Sequence, residues 1–146
     1  MFFEKVVYIM NMIERLRKDF PAYRFREGRA FRWRPATKTI TLEKVGAEGH
    51  VDQKYALQAL HELAHAILGH TDDTYDLGRL KCEVEAWELV KTDLAARYEI
   101  EYDEEFAEDM LDTYRVWLHK KSACPVCKQC RLQTKEGGYS CLNGCN

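Results

Sequence analysis

The sequence predicts an α+β fold: helices packed on a small β-sheet, with a short cysteine-rich module appended at the C-terminus. Three observations carry this expectation. Apolar residues recur with helical period before residue 21 and again after residue 54, and the segment between switches to a period of two. Five of the six cysteines fall within the last 23 residues. At 146 residues and 46% hydrophobic composition, the chain can bury one sizeable core. The division expected is a main domain over residues 1–121 and a small metal-stabilised module over 122–146.

Each element has a local reason. Val6, Ile9, Met10, Ile13 and Leu16 put an apolar stripe on a helix from Phe2 to Phe20, which Pro21 stops. Phe25, Phe31, Trp33 and the run Thr37 to Leu42 read as short strands, broken at Glu27-Gly28 and Arg34-Pro35. Asp52 is placed to cap a second helix whose inner stripe is Leu57, Leu60, Ala64 and Leu68, with Gly69 as its C-terminal cap. A loop from Thr71 to Gly78 leads to a third helix over about Arg79 to Tyr98. A fourth runs from Asp103 to about Lys121, with Phe106, Met110, Tyr114 and Trp117 facing inward.

Charge is unevenly spread beneath a net of −2. Residues 1–54 hold 12 Lys/Arg against 7 Asp/Glu, and residues 55–121 hold 7 against 16. Arg24, Arg26, Arg29, Arg32 and Arg34 alternate with aromatic and small residues, as on the outer face of a strand pair. That face is either simply solvated or a contact for a polyanion such as nucleic acid. No run approaches the roughly 18 apolar residues of a membrane span. The N-terminal apolar stretch is short, carries Glu4 and lacks a small-residue cleavage site. A cytoplasmic protein with reduced thiols and no membrane contact is therefore expected.

The densest chemistry lies in His61-Glu62-Leu63-Ala64-His65. Residues four apart on a helix share a face, with Cβ atoms roughly 6 Å apart. Two imidazoles so placed can close on one Zn²⁺, while Glu62 is rotated away from them and suits a general base. A third protein ligand is needed. Glu83 falls in the apolar stripe of the third helix with Ala86, Trp87, Val90 and Leu94, where a carboxylate requires a positive partner. Glu85 falls nearly opposite and is the alternative. His70 follows His65 by five and reads as a helix-end residue. His70 and Tyr75 are the weaker candidates for stabilising a transition state.

His61-Glu62-Leu63-Ala64-His65 followed by Glu83-Val84-Glu85-Ala86 resembles the ImmA/IrrE metallopeptidase family over roughly residues 1–120. The resemblance implies a zincin-like, gluzincin-type domain with His61, His65 and Glu83 as ligands of a catalytic zinc and Glu62 as the catalytic residue. It also implies an intracellular protein substrate such as a phage or mobile-element repressor or regulator. The chain departs from the family pattern at Trp87, where an Asn or Asp supporting a zinc histidine is expected, and at Leu89-Val90, where Phe-Ala is usual. SprT-like proteins, which join such a domain to a zinc ribbon, are the minor comparison.

Cys124-Pro-Val-Cys127 and Cys141-Leu-Asn-Gly-Cys145 enclose 13 residues that include the turn Gly137-Gly138. Two cysteine pairs on two turns build a closed S₄ site, so Cys124, Cys127, Cys141 and Cys145 are expected to hold a structural zinc in a ribbon-like module, with Cys130 as a substitute ligand. Cys82 stands alone and reads as a small buried hydrophobe. The function expected is a zinc-dependent endopeptidase with one catalytic and one structural zinc. The rival reading is a non-catalytic module that contacts DNA or a protein through the basic strands or the ribbon.

Overall fold

The computed structural model describes residues 2–45, 52–72 and 75–145. Helix α1 (Phe2–Asp19) buries Ile9, Met12, Ile13 and Leu16. These four fit the i, i+3, i+4, i+7 series of one helix face, so Met12 enters the core while Met10 is 45% exposed, against the predicted stripe. The Val6 side chain of that stripe lies outside the described residues.

Strands β1 (Arg24–Gly28), β2 (Arg32–Arg34) and β3 (Thr39–Glu43) form one sheet in the order β1-β3-β2. β1 runs parallel to β3 and β2 antiparallel to it. Phe25 and Trp33 both pair with Ile40, so these three side chains share one face of the pleat, and the core lies on that side. The last predicted strand starts later than its apolar pattern suggested. Pro35–Thr37 forms a 3₁₀ turn closed by Lys38 in the left-handed region, and β3 begins at Thr39.

Helix α2 (Gln53–Ile67) starts where Asp52 accepts a hydrogen bond from the Tyr55 N–H at 3.0 Å. It ends in a Schellman turn. Gly69, at φ +68, and His70 donate their N–H groups to the carbonyls of Ala66 and His65, at 3.1 and 3.0 Å. Leu57, Leu60, Leu63 and Ala64 are fully buried, whereas Leu68, placed in the predicted stripe, is 42% exposed at this turn.

Helix α3 (Asp76–Leu89) begins three residues before the predicted start. It continues through a π-helical turn, Val90–Leu94, into α4 (Ala95–Arg97). Helix α5 (Glu104–Ser122) is capped by Asp103, which accepts from the Phe106 N–H at 3.0 Å. Its buried residues are Ala107 and Leu111; the predicted inner residues Phe106, Met110, Tyr114 and Trp117 are half-buried.

The tail forms a small hairpin, β4 (Leu132–Gln133) against β5 (Tyr139–Ser140). It is fastened to the start of α3 at one carboxylate. The Tyr139 hydroxyl donates to Asp76 Oδ2 at 2.7 Å, Lys121 Nζ reaches the same oxygen at 2.7 Å, and the Asp76 N–H donates to Gln133 Oε1 at 2.7 Å. Among the described residues, no helix is long and apolar enough to cross a membrane.

Candidate metal centre and its cleft

The i, i+4 spacing on α2 brings His61 and His65 together edge to face, with ring centroids 4.5 Å apart and both residues buried. The helix formers around them leave only small and leucine side chains against the core, so the imidazoles lie at the seam with α3. From that helix Glu83 reaches across. Its Oε2 is 2.8 Å from His61 Nε2 and its Oε1 is 3.1 Å from His65 Nε2, while the two Nε2 atoms are 3.1 Å apart. Burial alone would push the Glu83 carboxyl up, but its close contacts with His61 and His65 outweigh it and hold the group at about 2 in the metal-free site. Burial lowers the pKa of His61, which disfavours its charged form.

This donor set suits a cation. Two imidazole nitrogens and a carboxylate oxygen, all within 4.8 Å of one another, form a His₂Glu group that can hold a metal ion. The opposite nitrogen of His61, Nδ1, is buried and has no hydrogen-bond partner among the described residues. Its ring is instead held by Trp87, stacked at 4.3 Å between centroids and 22° between planes. Trp87 thus supports the histidine by packing, where an amide or carboxylate would support it by a hydrogen bond.

Glu62 points elsewhere. It lines a cleft of about 560 Å³ with Phe31, Arg32 and Trp33 of the β2 edge, Arg79 and Cys82 of α3, and Tyr114 and Trp117 of α5. Burial, only partly countered by His65, raises its carboxyl to about 7. Tyr114 is pushed up to about 12 by burial and by the nearby charges of Glu83 and Glu62, with a hydrogen bond to Glu83 adding to the effect. Tyr114 was visible in the sequence only as a core-stripe residue, because nothing local reveals that α5 closes over the α2–α3 seam. Cys82 is half-buried on the cleft wall, where the sequence suggested a core position.

Two further expectations are corrected. Glu85, placed opposite Glu83 by helical phase, reaches His70, with Oε2 3.0 Å from Nε2; His70 Nδ1 in turn lies 2.8 Å from His65 Nδ1. The Schellman turn explains this, because it folds His70 back over the helix end towards His65. Tyr75 is 52% exposed and lies outside the cleft.

At the other end of the chain, Cys124, Cys127, Cys141 and Cys145 bring their sulfurs within 4.8 Å of one another, a second group able to hold a metal. The Sγ atoms of Cys127 and Cys141 are 3.5 Å apart. Backbone N–H donation from Gln129, with further help from Asn143, lowers the Cys127 thiol to about 6, whereas its hydrogen bond to Cys127 and burial push the Cys145 thiol up to about 12 in the metal-free group. Cys130 is exposed and stands outside this group.

No family model matches the chain, and neither a curated protein nor a solved structure matches it.

Proposed function

We propose that the chain is a zinc-dependent endopeptidase. The observation that carries this reading is the convergence of His61, His65 and Glu83 beside a cleft into which Glu62 projects. Three protein donors leave one position of a tetrahedral ion open, as in catalytic zinc sites, whereas the four-cysteine group is a complete structural set. Held by His61, His65 and Glu83, zinc would supply Lewis acidity to a water molecule and to a substrate carbonyl.

The protein groups complete the chemistry. Glu62, which lines the cleft beside His65 and Glu83, is the carboxylate placed to act as the base. It takes a proton from the attacking water as the new C–O bond forms, then delivers it to the departing nitrogen as the C–N bond breaks. A carboxylate and an amine result. Tyr114 keeps its phenolic proton near neutral pH and is the cleft hydroxyl placed to donate to the carbonyl oxygen as it gains charge. The resemblance of His61–His65 and Glu83–Ala86 to the ImmA/IrrE family supports an intracellular regulator or repressor protein as substrate. Glu62→Gln is expected to retain zinc and lose cleavage of a quenched-fluorescent peptide library by about 10²-fold or more. Unchanged cleavage refutes the mechanism.

A second reading draws on the sheet. Arg24 and Arg34 both pair with Thr39, and Arg26 and Arg32 both pair with Thr41, so four exposed arginines share one face. None of the four makes an ion pair among the described residues. This favours a nucleic-acid contact, either as the main function or as the place where a DNA-bound substrate is met. Binding of duplex DNA with a steep salt dependence, unaltered by Glu62→Gln but lost in Arg24→Gln/Arg26→Gln/Arg34→Gln, would establish it.

A further inference from the structure

The contacts that run from His65 through His70 to Glu85 dictate where the protons sit. Resting on the metal reading above, we propose that His70 and Glu85 are positioning residues that fix His65 in the tautomer whose Nε2 carries a bare lone pair.

The direction follows from the far end. The Glu85 carboxylate can only accept, so His70 Nε2, 3.0 Å away, must be the donor. A neutral imidazole carries one N–H, which leaves His70 Nδ1 as an acceptor. The 2.8 Å contact between His70 Nδ1 and His65 Nδ1 then requires His65 Nδ1 to donate. His65 Nε2 is consequently unprotonated, 3.1 Å from Glu83 Oε1 and 3.1 Å from His61 Nε2. That lone pair is directed at the space shared with Glu83 and His61, so the chain of contacts selects a metal-accepting state. Reversing its polarity would aim a lone pair of His70 at Glu85.

Local structure holds the relay in place. Gly69 adopts the left-handed conformation that lets the Schellman turn bring His70 over His65. The Trp33 indole N–H donates to the His70 carbonyl at 3.0 Å and ties that turn to the sheet edge. Among the described residues, His61 has no such partner for its Nδ1, and the Trp87 ring stacks on it instead. The two histidines are therefore oriented by different means, one by hydrogen bonds and the other by stacking.

The test joins tautomer and affinity in the full chain. Imidazole nitrogen NMR of metal-free protein should show His65 protonated at Nδ1, and Glu85→Gln should give a tautomer mixture, because an amide can either donate or accept. Zinc competition against a chelator should show the histidine site of Glu85→Gln and His70→Ala weakened about 10–100-fold. The cysteine site, distinguished in cobalt-loaded protein by its thiolate charge-transfer bands, should be unaffected. The double variant should lose no more than the weaker single variant, since both act along one path. Thermal melting of the metal-free variants separates this from misfolding: equal loss of both sites with a lowered melting temperature overturns the proposal. So does an Nε2-protonated His65 in the wild type, or unchanged zinc affinity in both variants. If wild type takes up metal only at its cysteines, the metal reading itself fails, and the relay loses its role with it.

Discussion

At the residue scale, Trp87 is the least expected part of the site. It is 2% exposed, and its ring covers His61 on one side while meeting Tyr102 and Phe106 edge-on. Truncating so large a buried ring leaves a cavity, so Trp87→Ala should cost about 3–5 kcal/mol by denaturant unfolding of the metal-free protein. It should also free the His61 ring and weaken zinc binding at the histidine site, whereas Trp87→Phe should preserve most of both. Much at this scale was legible. His61, Glu62 and His65 declare themselves by spacing, and Glu83 by a carboxylate in an apolar stripe. The contact of Glu85 with His70 was not legible, because helical phase tracks the direction of Cβ, whereas a Glu side chain is long enough to reach round to a neighbour displaced by a turn.

Among the elements, the start of α3 shows what periodicity cannot reveal. Asp76 is buried and polar, so an apolar pattern gives no reason to begin a helix there; its partners Tyr139, Lys121 and Gln133 lie more than 40 positions away. Similarly, the π-helical turn at Val90–Leu94 is invisible in composition, since the segment contains neither Gly nor Pro to mark a break. The Asp76 contact has a pH signature. Burial and the hydrogen bond to Asp76 raise Tyr139 from 10.0 to about 12. A group that binds its proton more tightly when folded contributes stability that is fully present below pH 10 and is lost as the pH climbs through 12. Tyrosine-selective NMR should therefore show Tyr139 titrating late in the wild type. In Asp76→Asn, where the acceptor is no longer charged, it should titrate earlier, and hairpin docking should weaken across the whole neutral range.

For the whole molecule, the sequence correctly announced an α+β chain with a cysteine-rich end. It did not announce how that end is joined to the rest. A hairpin with two residues in each strand has almost no apolar interior, so a metal held by its four-cysteine group would supply most of its folding energy. Purified protein is expected to contain two zinc ions per chain. Cys124→Ser should remove one and His61→Ala the other, by elemental analysis. In Cys124→Ser the tail beyond residue 122 should become sensitive to protease while the helical circular dichroism persists, because the main core lies in α1 to α5 and the sheet. Loss of both metals in either variant would show that the two centres stand or fall together.

The Schellman turn after α2 also carries an implication for design. One uninterrupted piece of chain, His61 to His70, carries both histidines of the candidate metal group, the cleft carboxyl Glu62 and the imidazole that contacts His65, with the five-residue step from His65 to His70 set by the turn itself. Grafted onto the C-terminal end of another helix, that piece would need from its host only two carboxylates on a single adjacent helix. Lengthening the step by one residue would part the two imidazoles even though every side chain remained.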